Sequence, residues 1–306
     1  MEAREHSMGT AYIGTSGWTY RHWRGPFYPT GLVQRRELEY LAGHLRSVEI
    51  NGSFYALQKP ETYARWAAQV PPGFVFAVKG GRYVTHMKKL RNVRTPLANF
   101  FASGLLRLED RLGPILWQLP ERLRFEADLL EEFFSLLPRS SAEAAQLAED
   151  HDDHLKGRAW TQTQQDRPLR HALEVRHESF QSPELVPILR RHGVALVVAD
   201  AAGLFPLVEE VTADFIYVRL HGSRELYRSG YEPAEIATWA DRVQAWRAGT
   251  QPPDARRLSA EPLAVCPRDV YVYFDNDIGA HAPGDALALA RTLHAEQRPV
   301  GGTDRP

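Results

Sequence analysis

The chain has 306 residues, of which 43% are hydrophobic and 25% charged, so its composition is that of a globular protein and excludes disordered and fibrous classes. The 37 basic and 38 acidic residues leave a formal charge of -1, so no overall positive field favours nucleic acid, although local basic patches are still compatible with it. Cys266 is the only cysteine, which excludes an intrachain disulfide and a cysteine-built metal site and is typical of a reducing cytosol.

Eight short apolar segments rich in β-branched and aromatic residues predict eight strands. In chain order they are residues 11–17, 46–51, 74–80, 114–120, 171–176, 194–200, 215–222 and 269–277. Amphipathic patterns between them predict helices at residues 35–45, 60–70, 125–137, 183–193 and 233–247. Strands that alternate with helices are parallel, and eight of them close a (β/α)8 barrel. An open doubly wound sheet is the alternative, but the glycines of TSGWTYRHWRG after the first strand lack dinucleotide-binding spacing.

Several segments depart from a minimal barrel. Residues 138–170 predict an extra helix before strand five, and residues 248–268 predict a long loop before strand eight. Strand six reaches strand seven through about 14 residues with little helical pattern. Residues 1–10 and 297–306 lack periodicity and are predicted as flexible tails, which leaves residues 11–296 as one barrel domain.

Polar residues are concentrated at the carboxyl ends of the predicted strands. In HALEVR, Glu174 and Arg176 alternate with Leu173 and Val175, so the charged pair is predicted to point into the barrel. Similar reasoning predicts an inward ring made of Glu49, Asn51, Lys79, Gln118, Glu174, Arg176, Asp200, Arg219, His221 and Asp275. Active sites of such barrels lie at this face, so the ring is a candidate binding or catalytic site.

Two interpretations of this ring stay open. Burying so many ionisable groups is costly unless they pair with one another or meet a ligand. The acidic and basic members could pair and brace the barrel end, or they could line a pocket for a polar or anionic molecule.

The ordered motifs of the chain are similar to those of domain-of-unknown-function family 72, also called the YecE-like family. The matching stretches cover nearly the whole chain and are YIGTSGWTYRHWRGPFYP, VEINGSFYAL, PETYARWAAQVPPGFVFAVKGGRYVTHMKKL, LGPILWQLP, HALEVRHESF, YVRLHGS with YRSGY, and VYVYFDNDIGAHAPGDALALARTL. The resemblance implies a closed TIM-like barrel in the cytoplasm and carries no established activity.

The chain departs from that family's pattern at three places. Asp275-Asn276-Asp277 stands where many members have Asn-Asn-Asp, the loop at 248–268 is longer than expected, and Gly-Gly-Arg at 80–82 replaces a turn rich in small residues. The first departure adds a carboxylate to the mouth, which favours a cation site.

A divalent-metal site is one alternative, of the kind found in the metal-dependent phosphodiesterase endonuclease IV. Its candidate ligands are Glu49, Glu174, Asp200, His221 and Asp275. Against it, Lys79, Arg176 and Arg219 share the ring, and their positive charge opposes a metal while it favours anions. The sequence therefore requires no cofactor.

A metal-free site is the favoured interpretation. Carboxylate–histidine acid–base chemistry is predicted for Glu49, Glu174, Asp200 and His221. The predicted ligand-binding residues are Trp18, Asn51, Tyr55, Lys79, Gln118, Arg176, His177, Arg219, Tyr231, Asp275 and Asn276. His177 has a second interpretation, in which it only caps the turn that follows strand five.

We therefore predict a barrel that binds a small anionic ligand and acts as a hydrolase or lyase. The competing prediction is a non-catalytic nucleic-acid or nucleotide-binding barrel, which would use the basic loop THMKKLRNVR around His86 and exposed aromatic residues. The charged N-terminus lacks the apolar run of a secretory signal, and no run of about 18 apolar residues occurs. We accordingly expect a cytoplasmic monomer without a membrane span.

Overall fold

A computed structural model describes residues 8–261 and 263–296. Its centre is a closed barrel of eight parallel strands arranged in sequence order, each paired with the next and the last with the first. The strands are β1 Ala11–Ser16, β2 Ser47–Ile50, β3 Val75–Lys79, β4 Leu112–Gln118, β5 His171–Glu174, β6 Val194–Asp200, β7 Phe215–Leu220 and β8 Asp269–Phe274. The predicted single-domain (β/α)8 barrel is confirmed.

Nine helices pack around the barrel in the described part of the chain. They are α1 Glu37–Ala42, α2 Gly52–Tyr55, α3 Pro60–Ala68, α4 Arg94–Ala102, α5 Ala127–Ser135, α6 Ser141–Ala148, α7 Leu185–His192, α8 Pro233–Arg247 and α9 His281–Glu296. Local sequence sets several of their ends. Pro60 starts α3, a capping box of Glu232 and Glu235 starts α8, and Gly193 ends α7 in the left-handed conformation.

The predicted irregularities are also present. Helix α6 is the extra helix before β5, and residues 248–268 form a long connection to β8. No helix lies between β6 and β7 in the described chain, where residues 201–214 form a loop instead. The predicted tails fall outside the described residues except for 8–10, where the Gly9 amide donates a hydrogen bond to the Arg247 carbonyl. In the described ranges, none of the helices combines the length and apolar character that a membrane crossing requires.

The barrel interior is filled unevenly. Its packed residues are Val75, Ala77, Leu116, Ala172, Ala195, Val197, Ala199, Phe215, Tyr217, Tyr271 and Tyr273. Alanines on β5 and β6 leave room for the tyrosines of β7 and β8, since side chains at one level share a fixed volume. Tyr217 and Tyr273 pack with ring centroids 5.2 Å apart, and the Tyr273 hydroxyl lies 2.7 Å from Ser47 Oγ. This layer supports the polar residues above it.

The strand register places polar residues at neighbouring heights. Ser16 of β1 pairs with Glu49 of β2, and Gln118 of β4 pairs with Glu174 of β5. Lys79 ends β3 and is followed by Gly80, where a Cβ atom would lie 2.3 Å from the Trp117 ring. The close approach of the Trp117 ring therefore requires glycine directly after Lys79.

Candidate functional site

The guanidinium of Arg219 lies at the centre of the barrel end and is fully buried. It binds Glu49 through two hydrogen bonds of 2.9 and 3.1 Å, Glu174 through one of 2.7 Å, and Asp275 through one of 2.9 Å. These carboxylates come from β2, β5 and the residue after β8. One arginine therefore joins three acidic side chains, and we call this group of four residues the arginine clamp.

Neutral groups complete the arginine clamp. Ser16 Oγ donates to Glu49 Oε1 at 2.6 Å, and the Tyr217 hydroxyl donates to Glu49 Oε2 at 2.6 Å. Ser16 also accepts hydrogen bonds from Arg219 and from the Asn51 side-chain amide. Buried carboxylates are tolerated when their oxygens are bonded in this way.

The positive charges of the site keep two of its carboxylates, Glu174 and Asp275, ionised. Burial opposes ionisation of Glu174, but Arg219 and Arg176 hold its pKa well below its usual value. Burial likewise opposes ionisation of Asp275, but Arg219 and His221 hold its pKa below its usual value. Glu174 and Asp275 are therefore negatively charged at neutral pH.

A cavity of about 850 Å³ opens above the arginine clamp. Its lining residues are Tyr20, Asn51, Phe54, Tyr55, Lys79, Arg82, His86, Met87, Gln118, Arg176, Tyr227, Asp275 and Asp277. Lys79 and Arg82 lie on the β3 side of the cavity, Arg176 follows β5, and the two carboxylates follow β8. The cavity wall therefore carries both positive and negative side chains.

Lys79 differs from the other charged residues of the cavity. Its side chain is buried, and Nζ lies 4.3 Å from the centre of the Phe54 ring. Within residues 8–261 and 263–296, no carboxylate lies within ion-pair distance of this amine. Burial lowers the pKa of Lys79 from 10.5 to about 8, and the nearby Arg219 guanidinium contributes to this shift. Lys79 is thus a buried cation of the cavity whose pKa lies below that of an ordinary lysine.

Arg176 joins the cavity wall to the arginine clamp. Its Nε donates to Glu174 at 2.9 Å, and Nη2 donates to the Tyr227 hydroxyl at 3.2 Å. The guanidinium carbon lies 4.4 Å from the centre of the Phe205 ring, which belongs to the helix-free connection after β6. Two nitrogens of the Arg176 guanidinium are therefore already hydrogen-bonded to protein groups, which leaves fewer N–H donors for a ligand.

Six of the predicted ligand-binding residues line the cavity together. They are Asn51, Tyr55, Lys79, Gln118, Arg176 and Asp275. The predicted Arg219 lies just below them with its donors engaged by the carboxylates. Glu49, Glu174 and His221 are fully buried at the same lower level and do not line the cavity.

His221 occupies an unusual position within this lower level. Its Nδ1 lies 3.0 Å from Asp275 Oδ2, and its Nε2 lies 3.9 Å from Glu174 Oε1. Neither contact has the alignment of a hydrogen bond. His221 is therefore close to two carboxylates, but its ring nitrogens form no hydrogen bond with described residues.

The predicted inward orientation of Asp200 is wrong. On β6, Ala195, Val197 and Ala199 point inward, so Asp200 follows the opposite alternation and lies on the helix side. There it accepts a hydrogen bond of 3.0 Å from the Tyr231 hydroxyl. Asp200 is therefore separated from the other predicted catalytic residues.

Four further predicted ligand-binding residues lie away from the cavity. Trp18 packs edge-on against Trp66, and Tyr231 is buried with its hydroxyl bound to Asp200. Asn276 donates to the Ser229 carbonyl and to Asp285, so it holds a loop to α9. His177 accepts a hydrogen bond from the Ser179 amide and caps the short turn Glu178–Phe180, as its second interpretation predicted.

The donor set does not fit the predicted metal centre. No group of three His, Cys, Asp or Glu side chains within the described ranges is arranged to hold a metal ion. Arg219 lies between Glu49, Glu174 and Asp275 and engages their oxygens, so a guanidinium takes the position that a cation would need.

Arg82 and Met87 are among the cavity residues that were not predicted from the sequence. Arg82 precedes a single π-helical turn, Tyr83–Met87, and Met87 ends it, so the turn places both at the opening. Turns of this kind are frequent at functional sites but have no reliable sequence pattern. The Gly-Gly-Arg departure at residues 80–82 was the available signal for Arg82.

Comparison with known proteins matches the chain to a family whose function is unknown. A family model described as "Protein of unknown function DUF72" matches residues 12–306. The UPF0759 protein YecE of Escherichia coli (strain K12) is 33% identical over 109 residues, which cover 36% of this chain and 37% of YecE. The UPF0759 protein YunF of Bacillus subtilis (strain 168) is 23% identical over 300 residues, covering 93% of this chain and 95% of YunF.

Solved structures show the same fold. A DUF72 family protein from Thermotoga maritima superposes with a TM-score of 0.71 at 26% identity, covering 93% of this chain and 99% of that one. A DUF72 family protein from Enterococcus faecalis superposes with a TM-score of 0.66 at 17% identity, covering 97% of this chain and all of that one. The second match supports the barrel alone.

Proposed function

This chain belongs to the DUF72 family, and we propose that its cavity binds a small molecule bearing a phosphate or carboxylate group. We further propose that it acts on this molecule by acid–base chemistry of the hydrolase or lyase type. The observation that supports this proposal is Lys79, a buried amine that faces the cavity without a carboxylate partner.

The cationic side of the cavity supports binding of an anion. Lys79 and Arg82 line this side, and the ring of His86 packs edge-on against Phe54 beside them. Arg82 is exposed, so its guanidinium is free to turn toward a ligand. A fork-shaped donor beside a point charge suits a phosphate or carboxylate group.

The opposite side supports a polar, uncharged or amine-bearing end of the ligand. Asp275 and Asp277 supply carboxylate oxygens there, while Asn51 after β2 and Gln118 of β4 supply amide groups on the two flanks of β3. Asn51 Oδ1 is buried and accepts no hydrogen bond from the described residues. A hydroxyl-rich ligand would satisfy this acceptor.

Lys79 is the residue best placed to exchange a proton with such a ligand. With a pKa of about 8, it is present in both protonation states near neutral pH. Glu49, Glu174 and His221 lie below the cavity floor, so in this proposal they hold Arg219 and Asp275 in place rather than touch the ligand. This assignment moves the chemistry from the predicted carboxylate–histidine group to the lysine.

Calorimetric binding with a matched pair of probes tests the proposal. Glycerol 3-phosphate should bind, whereas glycerol, which lacks the phosphate, should not. Arg82→Gln should weaken the phosphate probe by about tenfold, as expected for loss of a charged hydrogen bond. Arg65→Gln serves as the control, since Arg65 is exposed on α3 and does not line the cavity. Equal binding of the two probes, or equal effects of the two substitutions, would overturn it.

A nucleic-acid role is the second candidate, supported by the outer rim of the cavity. Tyr55 and Met87 are 66% and 64% exposed, and Tyr83 is exposed beside Lys88. Arg91 of the predicted basic loop is engaged by Glu126, which reduces the positive charge available there. Titration with a single-stranded oligonucleotide at several salt concentrations tests this role. Affinity that falls steeply with salt and is lowered by Tyr55→Ala would support it.

A further inference from the structure

We infer that Lys79 is a nucleophile that forms an imine with a carbonyl group of the ligand, so that the substrate class is a small aldehyde or ketone bearing a phosphate or carboxylate. This inference rests on the proposed function, because it takes the same cavity and the same anionic ligand and adds the carbonyl. It assigns the lysine a covalent role instead of proton transfer alone.

The lysine content of the chain isolates this residue. The sequence has only five lysines, at positions 59, 79, 88, 89 and 156. Four of them are exposed, and Lys79 alone is buried, at 8% exposure. A protein that otherwise uses arginine for its buried cations therefore keeps an amine at the cavity.

The choice of amine over guanidinium has a chemical meaning. Arg219 and Arg176 bind carboxylates through several directed donors, which an ammonium group cannot reproduce. Lys79 makes no such bonds, so an arginine would serve equally well if only charge were needed. An amine can lose a proton and attack a carbonyl carbon, whereas a guanidinium cannot.

The surroundings of Lys79 favour the neutral, nucleophilic form. Burial lowers its pKa to about 8. At about pH 7.5, roughly a quarter of such an amine is neutral, against about 0.1% of an exposed lysine with an ordinary pKa. The face of the Phe54 ring lies 4.3 Å from Nζ and attracts the ammonium form, so the lowered pKa reflects burial and the nearby Arg219 guanidinium.

The reaction balances without an added reactant. The nitrogen lone pair of Lys79 attacks the carbonyl carbon, and the C–O bond later breaks as water leaves. Counted from the ammonium form, the departing oxygen takes two of the three amine protons, and the protonated imine keeps the third. The positive charge is thus conserved, and the balance with the nearby carboxylates is unchanged.

Tyr227 is placed to pass a proton to the departing oxygen. It lines the cavity, and its hydroxyl oxygen accepts the hydrogen bond from Arg176. In the part of the chain that the structure describes, no acceptor takes the Tyr227 proton. Burial raises the pKa of Tyr227, so the hydroxyl keeps its proton at neutral pH.

Reductive trapping tests the inference. The protein is incubated at about pH 7.5 with dihydroxyacetone phosphate or pyruvate and sodium cyanoborohydride, which reduces an imine to a stable amine. Peptide mass mapping then compares Lys79 with the four exposed lysines. We expect Lys79 to be modified at least tenfold faster than any of them, and unlabelled glycerol 3-phosphate to slow its modification by the phosphate probe.

The variants separate the failure of this inference from failure of the proposed function. Lys79→Arg keeps the positive charge but cannot form an imine, so the adduct at position 79 should disappear, while glycerol 3-phosphate binding is measured on the wild-type protein. Adducts spread evenly over the exposed lysines, with phosphate binding intact, would overturn the imine and leave the proposed function standing. Absence of both the adduct and phosphate binding would overturn both. The comparison within the wild-type chain holds even if a variant does not fold.

Discussion

Replacement of Lys79 by methionine should change how the stability of the protein depends on pH. In the folded protein the pKa of Lys79 is about 8, whereas the ordinary value of 10.5 applies to the unfolded chain. Between these values the unfolded chain binds more protons at this position than the folded protein. The contribution of Lys79 to the free energy of unfolding therefore rises with pH in this interval.

The magnitude follows from the difference between the two pKa values. Each pKa unit corresponds to about 1.4 kcal/mol, so wild type should gain about 3 kcal/mol relative to Lys79→Met between about pH 7 and pH 11. Below pH 8 the buried ammonium lowers the free energy of unfolding by about this amount, so Lys79→Met should be more stable than wild type. The stability that wild type gains from a neutral Lys79 is fully present above pH 10.5 and is lost as the pH falls through 8.

Urea unfolding at several pH values measures this difference. Tryptophan fluorescence and circular dichroism should give coincident transitions, which a two-state analysis requires. Lys156→Met provides the matched control, since Lys156 is exposed and its replacement should give a difference that is flat with pH. A flat difference for Lys79→Met, or one that falls with rising pH, would refute the assignment of Lys79 as a buried amine.

Three other substitutions test different parts of the structure. Burial lowers the pKa of His171 from 6.5 to about 4. The free energy of unfolding of wild type should therefore fall by about 3 kcal/mol relative to that of His171→Gln as the pH falls from 6.5 to 4. A difference between the two proteins that does not change with pH in urea unfolding would contradict this. Arg219→Met strands three buried carboxylates and should lower the free energy of unfolding by about 3–5 kcal/mol at pH 7, whereas a loss below about 1 kcal/mol would show that the clamp is not held by this arginine. Tyr227→Phe removes a proton donor and should slow imine trapping at Lys79 by about 100-fold without changing affinity for glycerol 3-phosphate, and an unchanged rate would exclude a role in proton transfer.

The sequence predicts the barrel well because each strand carries a local signal. Short runs of valine, isoleucine and aromatic residues, separated by amphipathic segments, leave few alternative topologies. For β5, charged and apolar residues alternate, so the inward direction of Glu174 follows from the pattern and is confirmed by its bond to Arg219.

The same method fails where alternation is absent. In VALVVAD every residue before Asp200 is apolar, so neither face of β6 is marked, and the polar residue at its end was assigned to the wrong side. Short alanines inside the barrel carry the true signal, but only the size of the neighbouring tyrosines explains them.

The sequence pattern also does not predict which charged side chains form ion pairs or how the segments after the strands are shaped. The strand pattern predicts equal numbers of acidic and basic side chains at the barrel end, but it does not predict which basic side chain pairs with which acidic one. Three-dimensional packing gives Arg219 the carboxylates, and no carboxylate of the described residues is left to pair with Lys79. Arg82 and Met87 reach the cavity through a π-helical turn that no periodicity predicts.

The position of Arg219 also has a mechanical consequence. From β7 it bonds to Ser16 of β1, Glu49 of β2, Glu174 of β5 and Asp275 after β8, so five strands are tied at one height. Widening this end of the barrel would break several charge-assisted bonds at once, which makes the cavity floor stiff. Adaptation to a new substrate would then depend on exchanges in the segments that follow the strands, where exposed residues such as Tyr55 and Met87 make no bond to Arg219.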